Sequence, residues 1–204
     1  MTLLQIKAAT GSTTENAQTF LPYLGETFQH FQISTPAQQL CFLAQVGHES
    51  GGLFYTEELA SGSAYEGRTA LGNTHPGDGV KFKGRGLIQI TGRANYQALS
   101  TALQEDFVTN PTLLGGKNIK LCTPAQLRNA ALSAGWFWAR ANLNSLADKM
   151  LLQHPIDEGS NLEFYKKITR IINGGYNGLE DRLHRLMQGV TALTTNPTLN
   201  AVAP

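Results

Sequence analysis

The chain has 204 residues, 41% apolar and 15% charged, which supplies one well-buried core, or two lobes sharing a groove, and excludes a disordered polymer. With 16 Lys plus Arg against 15 acidic residues the formal charge is +1, so there is no net field to hold a nucleic acid. No window reaches the roughly 18 apolar residues of a membrane span, and Met1-Thr2-Leu3-Leu4-Gln5-Ile6-Lys7 lacks an export-signal pattern, so the expectation is synthesis in the cytoplasm without membrane insertion.

In chain order, the first expected helix runs from about Glu15 to Phe31. Thr35-Pro36-Ala37-Gln38 is a helix start, with a threonine N-cap, proline at the first helical position and glutamine closing a capping box. The helix it opens runs to about Ser50, where Gly51-Gly52 stops it. Leu40, Leu43, Ala44 and Gly47 share one face, while His48 and Glu49 fall in the last turn, where a carboxylate faces the negative end of the macrodipole and its protonated form is favoured.

From Leu53 to Thr91 helical periodicity is lost and glycines crowd in; only Val80-Lys81-Phe82 and Leu87-Ile88-Gln89-Ile90 look strand-like. A loop of that length inside a compact domain is usually functional. Helices are expected again from Ala94 to Leu103, from Thr123-Pro124-Ala125-Gln126 to about Asn142, from Leu162 to Ile172 and from Leu179 to Leu193. A polar tail follows from about Thr194 to Pro204. The fold class is therefore mainly α (α+β at most), with any β element confined to residues 80-90, in one domain over 1-204. Cys41 and Cys122 read as two buried thiols rather than a disulfide.

Several motifs fail. The second histidine of H-E-x-x-H would fall at Gly52, which removes a zinc-protease reading of His48-Glu49 and leaves no metal site. Gly84-Arg85-Gly86 lacks the third glycine and the strand-turn-helix context of a dinucleotide loop, and no G-x-S-x-G elbow supplies a serine nucleophile. No cofactor is indicated. What survives is a pair of carboxylates, Glu49 at a helix end and Glu57 or Glu58 in the following segment. Glycoside cleavage needs one carboxyl to protonate the leaving oxygen and one carboxylate to activate water or attack carbon. Two glutamates nine apart are commonplace on solvated surfaces, and on spacing alone that is the favoured reading. Of Trp136, Phe137 and Trp138, at least one is expected in the core, and another could stack on a sugar. Glu66 is expected to pair with an arginine, and His75 and His154 to be ordinary loop residues.

The run Phe42-Leu43-Ala44-Gln45-Val46-Gly47-His48-Glu49-Ser50-Gly51-Gly52 resembles the catalytic segment of family 19 glycoside hydrolases, the group of plant-type chitinases and many phage endolysins. Tyr65-Glu66-Gly67-Arg68, Leu71-Gly72-Asn73-Thr74 and Phe82 to Tyr96 resemble the bacterial and phage branch. Ile171-Ile172-Asn173-Gly174-Gly175 and Asp181-Arg182 resemble the family's C-terminal substrate-binding segment. The blocks follow one another in the family's order from Phe42 to Arg182.

This resemblance implies a lysozyme-like, two-lobed fold with a deep central cleft and an inverting single displacement. Glu49 then matches the general acid, Glu58 the general base and Thr91 the hydroxyl residue that helps hold the attacking water. Gln89, Asn95 and Asn173 match polar residues lining the sugar sites, and His48 orients the acid or the loop. Arg182, grouped with the substrate-binding set, matches an arginine near the acid that tunes charge. The chain departs from the plant enzymes in the short spacing between the two glutamates, in lacking their disulfide cysteines, and in having no matching acid after Asn173-Gly174-Gly175. The resulting expectation is a monomeric endolysin: a muramidase-like enzyme acting on peptidoglycan glycan strands in the periplasm after holin-dependent release. A chitinase and a non-catalytic wall-binding module are the alternatives.

Overall fold

The computed structural model describes residues 1–195; the tail expected from Thr194 therefore lies, beyond residue 195, outside the described residues. The regular structure is almost all helical: α1 (Leu3–Thr10), α2 (Thr14–His30), α3 (Pro36–Glu49), α4 (Asp78–Lys81), α5 (Arg93–Leu103), α6 (Pro124–Arg140), α7 (Asn144–Ala147), α8 (Gly159–Asn173) and α9 (Leu179–Thr194). Among the described residues no helix is long and apolar enough to cross a membrane.

Both expected capping boxes form: Thr35 and Gln38 cap α3, and Thr123 and Gln126 cap α6. A third, between Thr2 and Gln5, opens α1, a helix the sequence reading did not include. Eight residues are too few to show an amphipathic stripe, and α1 is held by packing against α3 and α9. At the α1–α3 crossing the backbones nearly touch. A Cβ on Gly47 would sit 2.5 Å from the Thr10 carbonyl oxygen, so only glycine fits there.

The core runs through the interior of this helical body. Phe42 of α3 lies edge-on between Phe28 of α2 at 5.7 Å and Trp138 of α6 at 5.6 Å, centroid to centroid. Trp138 is fully buried and donates its indole N–H to Asn144, and Trp136 is buried at 8% exposure, so both tryptophans of the Trp136-Phe137-Trp138 run belong to the core. Cys41 is buried and Cys122 half-buried; both are free thiols.

The two strand-like runs do not form strands. Val80 belongs to the short α4 and is exposed, while Phe82 follows it into the core. Leu87 to Ile90 close a tight turn through paired bonds between Arg85 and Ile90, with Gln89 in the left-handed region at φ 58°. The residual β pairing consists of isolated bridges from Arg85 to Glu57 and to Ile90. Side-chain alternation cannot distinguish such a turn from a strand, because no partner strand of sufficient length is available in the sequence to complete a ladder.

The irregular segment is fixed from within. Asp78 is gripped by Arg93 through Nε at 2.8 Å and Nη2 at 2.5 Å, and it accepts the His75 amide at 3.1 Å. Glu66 accepts the backbone amides of Gly77 and Gly79 at 2.7 and 2.8 Å. It is thus paired with peptide N–H groups and not with the expected arginine; Arg68 instead lies over the Tyr65 ring. His75 and His154 are exposed loop residues, as read from the sequence.

Candidate active site

Glu49 is the last residue of α3, and the chain leaves the helix at once. Ser50 caps it by donating its hydroxyl to the Val46 carbonyl and accepting from the Leu53 amide, while Gly51 and Gly52 adopt positive φ. The Glu49 side chain is 18% exposed. Its Oε1 accepts from Arg182 Nη2 at 2.5 Å.

Arg182, near the start of α9, is wholly buried. Its Nη1 donates to Gln45 Oε1 at 2.5 Å and its Nε to the Asn177 carbonyl at 3.2 Å. Gln45 in turn donates to Thr169 of α8 at 2.9 Å. A guanidinium is the one common side chain that can satisfy three partners in a plane while carrying its charge into a core. Arg182 thus meets Glu49 from within the core.

His48 stands beside this pair. Its Nδ1 lies 2.6 Å from Asp181 Oδ2, and its ring packs so tightly against Gly178 that a Cβ there would approach Nε2 to 2.3 Å. Burial works against the charge on Asp181, but its bonds to Arg185 and His48 hold the carboxyl below its usual range.

The second cluster lies on the irregular segment. Glu58 Oε1 accepts from the Tyr65 hydroxyl at 3.0 Å and Oε2 from the Gly84 amide at 3.1 Å. Burial and the bond to Glu58 together raise the Tyr65 phenol above its ordinary value. Glu57 points elsewhere, into ion pairs with Lys83 Nζ at 2.9 Å and Arg85 Nε at 2.8 Å. Burial opposes its charge, yet the bonds from Lys83 and Arg85 hold its carboxyl below the usual carboxylate range. The neighbouring glutamates, indistinguishable in sequence, therefore have opposite environments: one is neutralised by cations and the other is held by neutral donors.

The remaining candidates extend from Glu58. A Cβ on Gly84 would meet both Gln89 Oε1, at 2.8 Å, and Glu58 Oε2, at 3.3 Å, so the glycine lets these two side chains converge. Gln89 donates to the Gly86 carbonyl, Thr91 Oγ1 to the Gln89 carbonyl and Asn95 Nδ2 to the Thr91 carbonyl, each at 2.9 Å. Glu58, Gln89, Thr91 and Asn95 thus form one connected set, and Glu49, Arg182 and Gln45 another, with the His48–Asp181 pair adjacent to it in sequence. Asn173, closing α8, is hydrogen-bonded to neither; its Oδ1 is buried without a partner among the described residues.

Gln45, Tyr65 and Asp181 contact the candidate residues directly and were not singled out from sequence. Gln45 had a usable signal: a polar residue amid the apolar run of α3, one helical turn before Glu49. Tyr65 and Asp181 had none beyond membership of the quoted blocks.

The sequence profile of the family described as chitinase class I matches residues 8–188. A glycosyl hydrolase family 19 domain-containing protein of Haemophilus influenzae is 31% identical over 179 residues, covering 71% of this chain and 74% of its own length. An acidic 27 kDa endochitinase of Solanum lycopersicum is 30% identical over 169 residues, covering 76% of this chain and 63% of its own length. An endochitinase of Arabidopsis thaliana is 34% identical over 133 residues, covering 65% of this chain and 38% of its own length. The chain thus spans less than two thirds of either plant relative.

Among solved structures, a bacterial family 19 chitinase superposes with a TM-score of 0.62 at 20% identity, covering 96% of this chain and 97% of that one. Chitinase C from Streptomyces griseus HUT6037 superposes with a TM-score of 0.59 at 19% identity, covering 95% and 76%. At such identities the likeness is one of fold, the lysozyme-like fold expected from the sequence. Fold and sequence relatives together define a glycoside hydrolase, an enzyme that cleaves glycosidic bonds. The chain belongs to glycoside hydrolase family 19, the chitinase class I family.

Proposed function

We propose that this glycoside hydrolase cuts the β-1,4 bonds between N-acetylmuramic acid and N-acetylglucosamine in bacterial peptidoglycan, as an endolysin does. The observation that carries the chemical part is the contrast between the carboxylates. Glu58 is presented by a phenol and a peptide N–H, while Glu49 is held through one oxygen by a buried guanidinium. Two carboxyl groups in unlike surroundings suit the division of labour of an inverting glycosidase.

In this reading Glu49, carrying its proton on Oε2 in the substrate complex, hands that proton to the leaving oxygen, and the Arg182 guanidinium bonded to Oε1 stabilises the carboxylate that remains. Glu58 draws a proton from the water attacking the anomeric carbon, with Thr91 helping to hold that water. Gln89, Asn95 and the unpartnered Asn173 carbonyl line the sugar sites, and His48 orients the helix end that bears the acid. Glu57, neutralised by two cations, is left a structural role.

The likeness of residues 65–96 to the bacterial and phage branch supports a wall glycan as substrate, with the enzyme acting as a monomer in the periplasm once a holin has released it. Endochitinases among the relatives favour a second reading, hydrolysis of β-1,4-linked N-acetylglucosamine polymers. Reducing-end analysis of digested sacculi tests the first. New N-acetylmuramic acid ends are expected, and products from chitin oligomers with none from sacculi would replace it by the second. Unchanged wall turbidity with the purified protein and with its Glu49→Gln variant would leave only a binding module.

A further inference from the structure

Beyond the candidate catalytic residues, one concavity lies next to the Glu58 set. It occupies about 310 Å³ and is lined by Asn95, Trp136, Phe137, Arg140 and Ala141. Pockets that bind organic ligands begin near 300 Å³, so the space suits a single sugar ring or a ring substituent. It adjoins the Glu58 set through one residue: Asn95, which lines it, donates to the Thr91 carbonyl.

Its chemistry is specific. Trp136 is 8% exposed, a nearly buried indole that can present only an edge or part of a face to a ligand. Arg140 ends α6 and is exposed, and its guanidinium lies 5.1 Å from the Trp136 ring centroid. Among the described residues it forms no ion pair, as is also true of Arg68 and Arg170, whereas Arg85, Arg93, Arg128, Arg182 and Arg185 each hold a carboxylate; of the three without an ion pair, Arg140 is the one that lines this pocket. Stacking on the indole orients an arginine while leaving its N–H edge free. Asn95 spends its amide N–H on Thr91 and keeps a carbonyl oxygen to accept from a sugar hydroxyl or acetamido N–H.

We propose that this pocket is an acid-recognising subsite, in which Arg140, steadied by Trp136, pairs with a carboxylate appended to the sugar chain. The inference rests on the peptidoglycan reading and sharpens it, because a homopolymer of N-acetylglucosamine carries no carboxylate. In the wall the carboxylate has two sources: the lactyl ether of N-acetylmuramic acid where the peptide has been removed, and the acidic residues of the stem peptide where it is present. A bidentate pairing with a planar carboxylate is the contact a guanidinium makes best.

The test measures affinity by calorimetry in a Glu49→Gln background, so that ligand is not consumed. Three probes are compared: N-acetylglucosamine tetramer, a peptide-free wall tetrasaccharide and a peptide-bearing wall tetrasaccharide. The parent is expected to prefer at least one acid-bearing probe over the neutral one by about tenfold, the scale of one charge-assisted hydrogen-bonded contact. Arg140→Gln should bring that ratio to within twofold of unity and remove its salt dependence. Loss of preference for the peptide-free probe assigns the lactyl group, and loss confined to the peptide-bearing probe assigns the stem.

A parent without preference would overturn the subsite, while the peptidoglycan reading stands or falls separately by the reducing-end analysis of digested sacculi. A parent whose preference survives Arg140→Gln would overturn the subsite alone. Circular dichroism of the variant should match the parent, since Arg140 is exposed; the same titrations with Arg140→Lys, which keeps charge but not the fork, should give an intermediate ratio.

Discussion

Arg182 donates to Glu49 and to Gln45 at 2.5 Å each, so one buried guanidinium clamps the last turn of α3 to the first turn of α9. Breaking a buried ion pair by deleting one partner typically costs about 3–5 kcal/mol, because the other charge is left uncompensated. Arg182→Ala is expected to lower stability on that scale in urea unfolding. Glu49→Gln removes the anion but keeps an acceptor oxygen for Arg182, so it should stay folded at a smaller cost in stability than Arg182→Ala, while hydrolysis falls about 10² to 10⁴-fold, the usual contribution of a general acid. A Glu49→Gln protein that loses its fold as readily as Arg182→Ala would show that this carboxylate is chiefly structural.

The contrast between Glu57 and Glu58 makes a paired prediction. Glu58→Gln should reduce turnover about 10² to 10⁴-fold with little change in melting temperature. Glu57→Gln leaves Lys83 and Arg85 without their anion and should lower the melting temperature while retaining most activity. Tyr65→Phe removes one donor to Glu58 and is expected to cost less than Glu58→Gln. Activity assays and thermal melts on the three variants check this; an active Glu58→Gln beside an inactive, fully stable Glu57→Gln would reverse the assignment.

Asp78 sets an acid limit on the irregular segment. The Arg93 hydrogen bond, opposed by burial, holds its carboxyl at about 2, whereas an unfolded aspartate titrates near about 3.9. A depressed folded value means the contribution is fully present above the unfolded value and is lost as pH falls toward about 2. Limited proteolysis between residues 60 and 92 should therefore accelerate as pH drops from about 4 toward 2 with an acid-stable protease. Asp78→Asn should already be susceptible at pH 6 and show a flatter pH response. Equal cleavage of variant and parent at pH 6 would remove Asp78 from this role.

Gly47 tests how closely the helices must approach. Ala at this position would place Cβ within 3 Å of three Thr10 backbone atoms, and neither backbone can yield as a flexible side chain would. Gly47→Ala is expected to destabilise by about 1–3 kcal/mol, the range for overpacking. It should also depress activity more than stability alone explains, since His48 and Glu49 follow directly. Chemical denaturation alongside turnover at a temperature where the variant is fully folded separates the two effects.

Much of this protein was legible in the residues themselves. Capping boxes at Thr35 and Thr123 and the apolar stripes that follow specify α3 and α6, because local hydrogen bonds and a 3.6-residue period are properties of short sequence. The blocks around His48-Glu49, Gly84 to Tyr96 and Asn173 marked the family for the same reason: the chemistry is carried by side chains close together along the chain. The tertiary structure alone decided the rest. Glu57 and Glu58 have identical side chains and adjacent positions, and only the cations brought in from residues 83 and 85 separate a neutralised carboxylate from one held by Tyr65 and Gly84. The same holds for Arg182, whose burial against Gln45 and Glu49 depends on two helices meeting from opposite ends of the chain. Charge state and burial are set by neighbours in space, and local sequence pattern does not encode which distant residues those neighbours are.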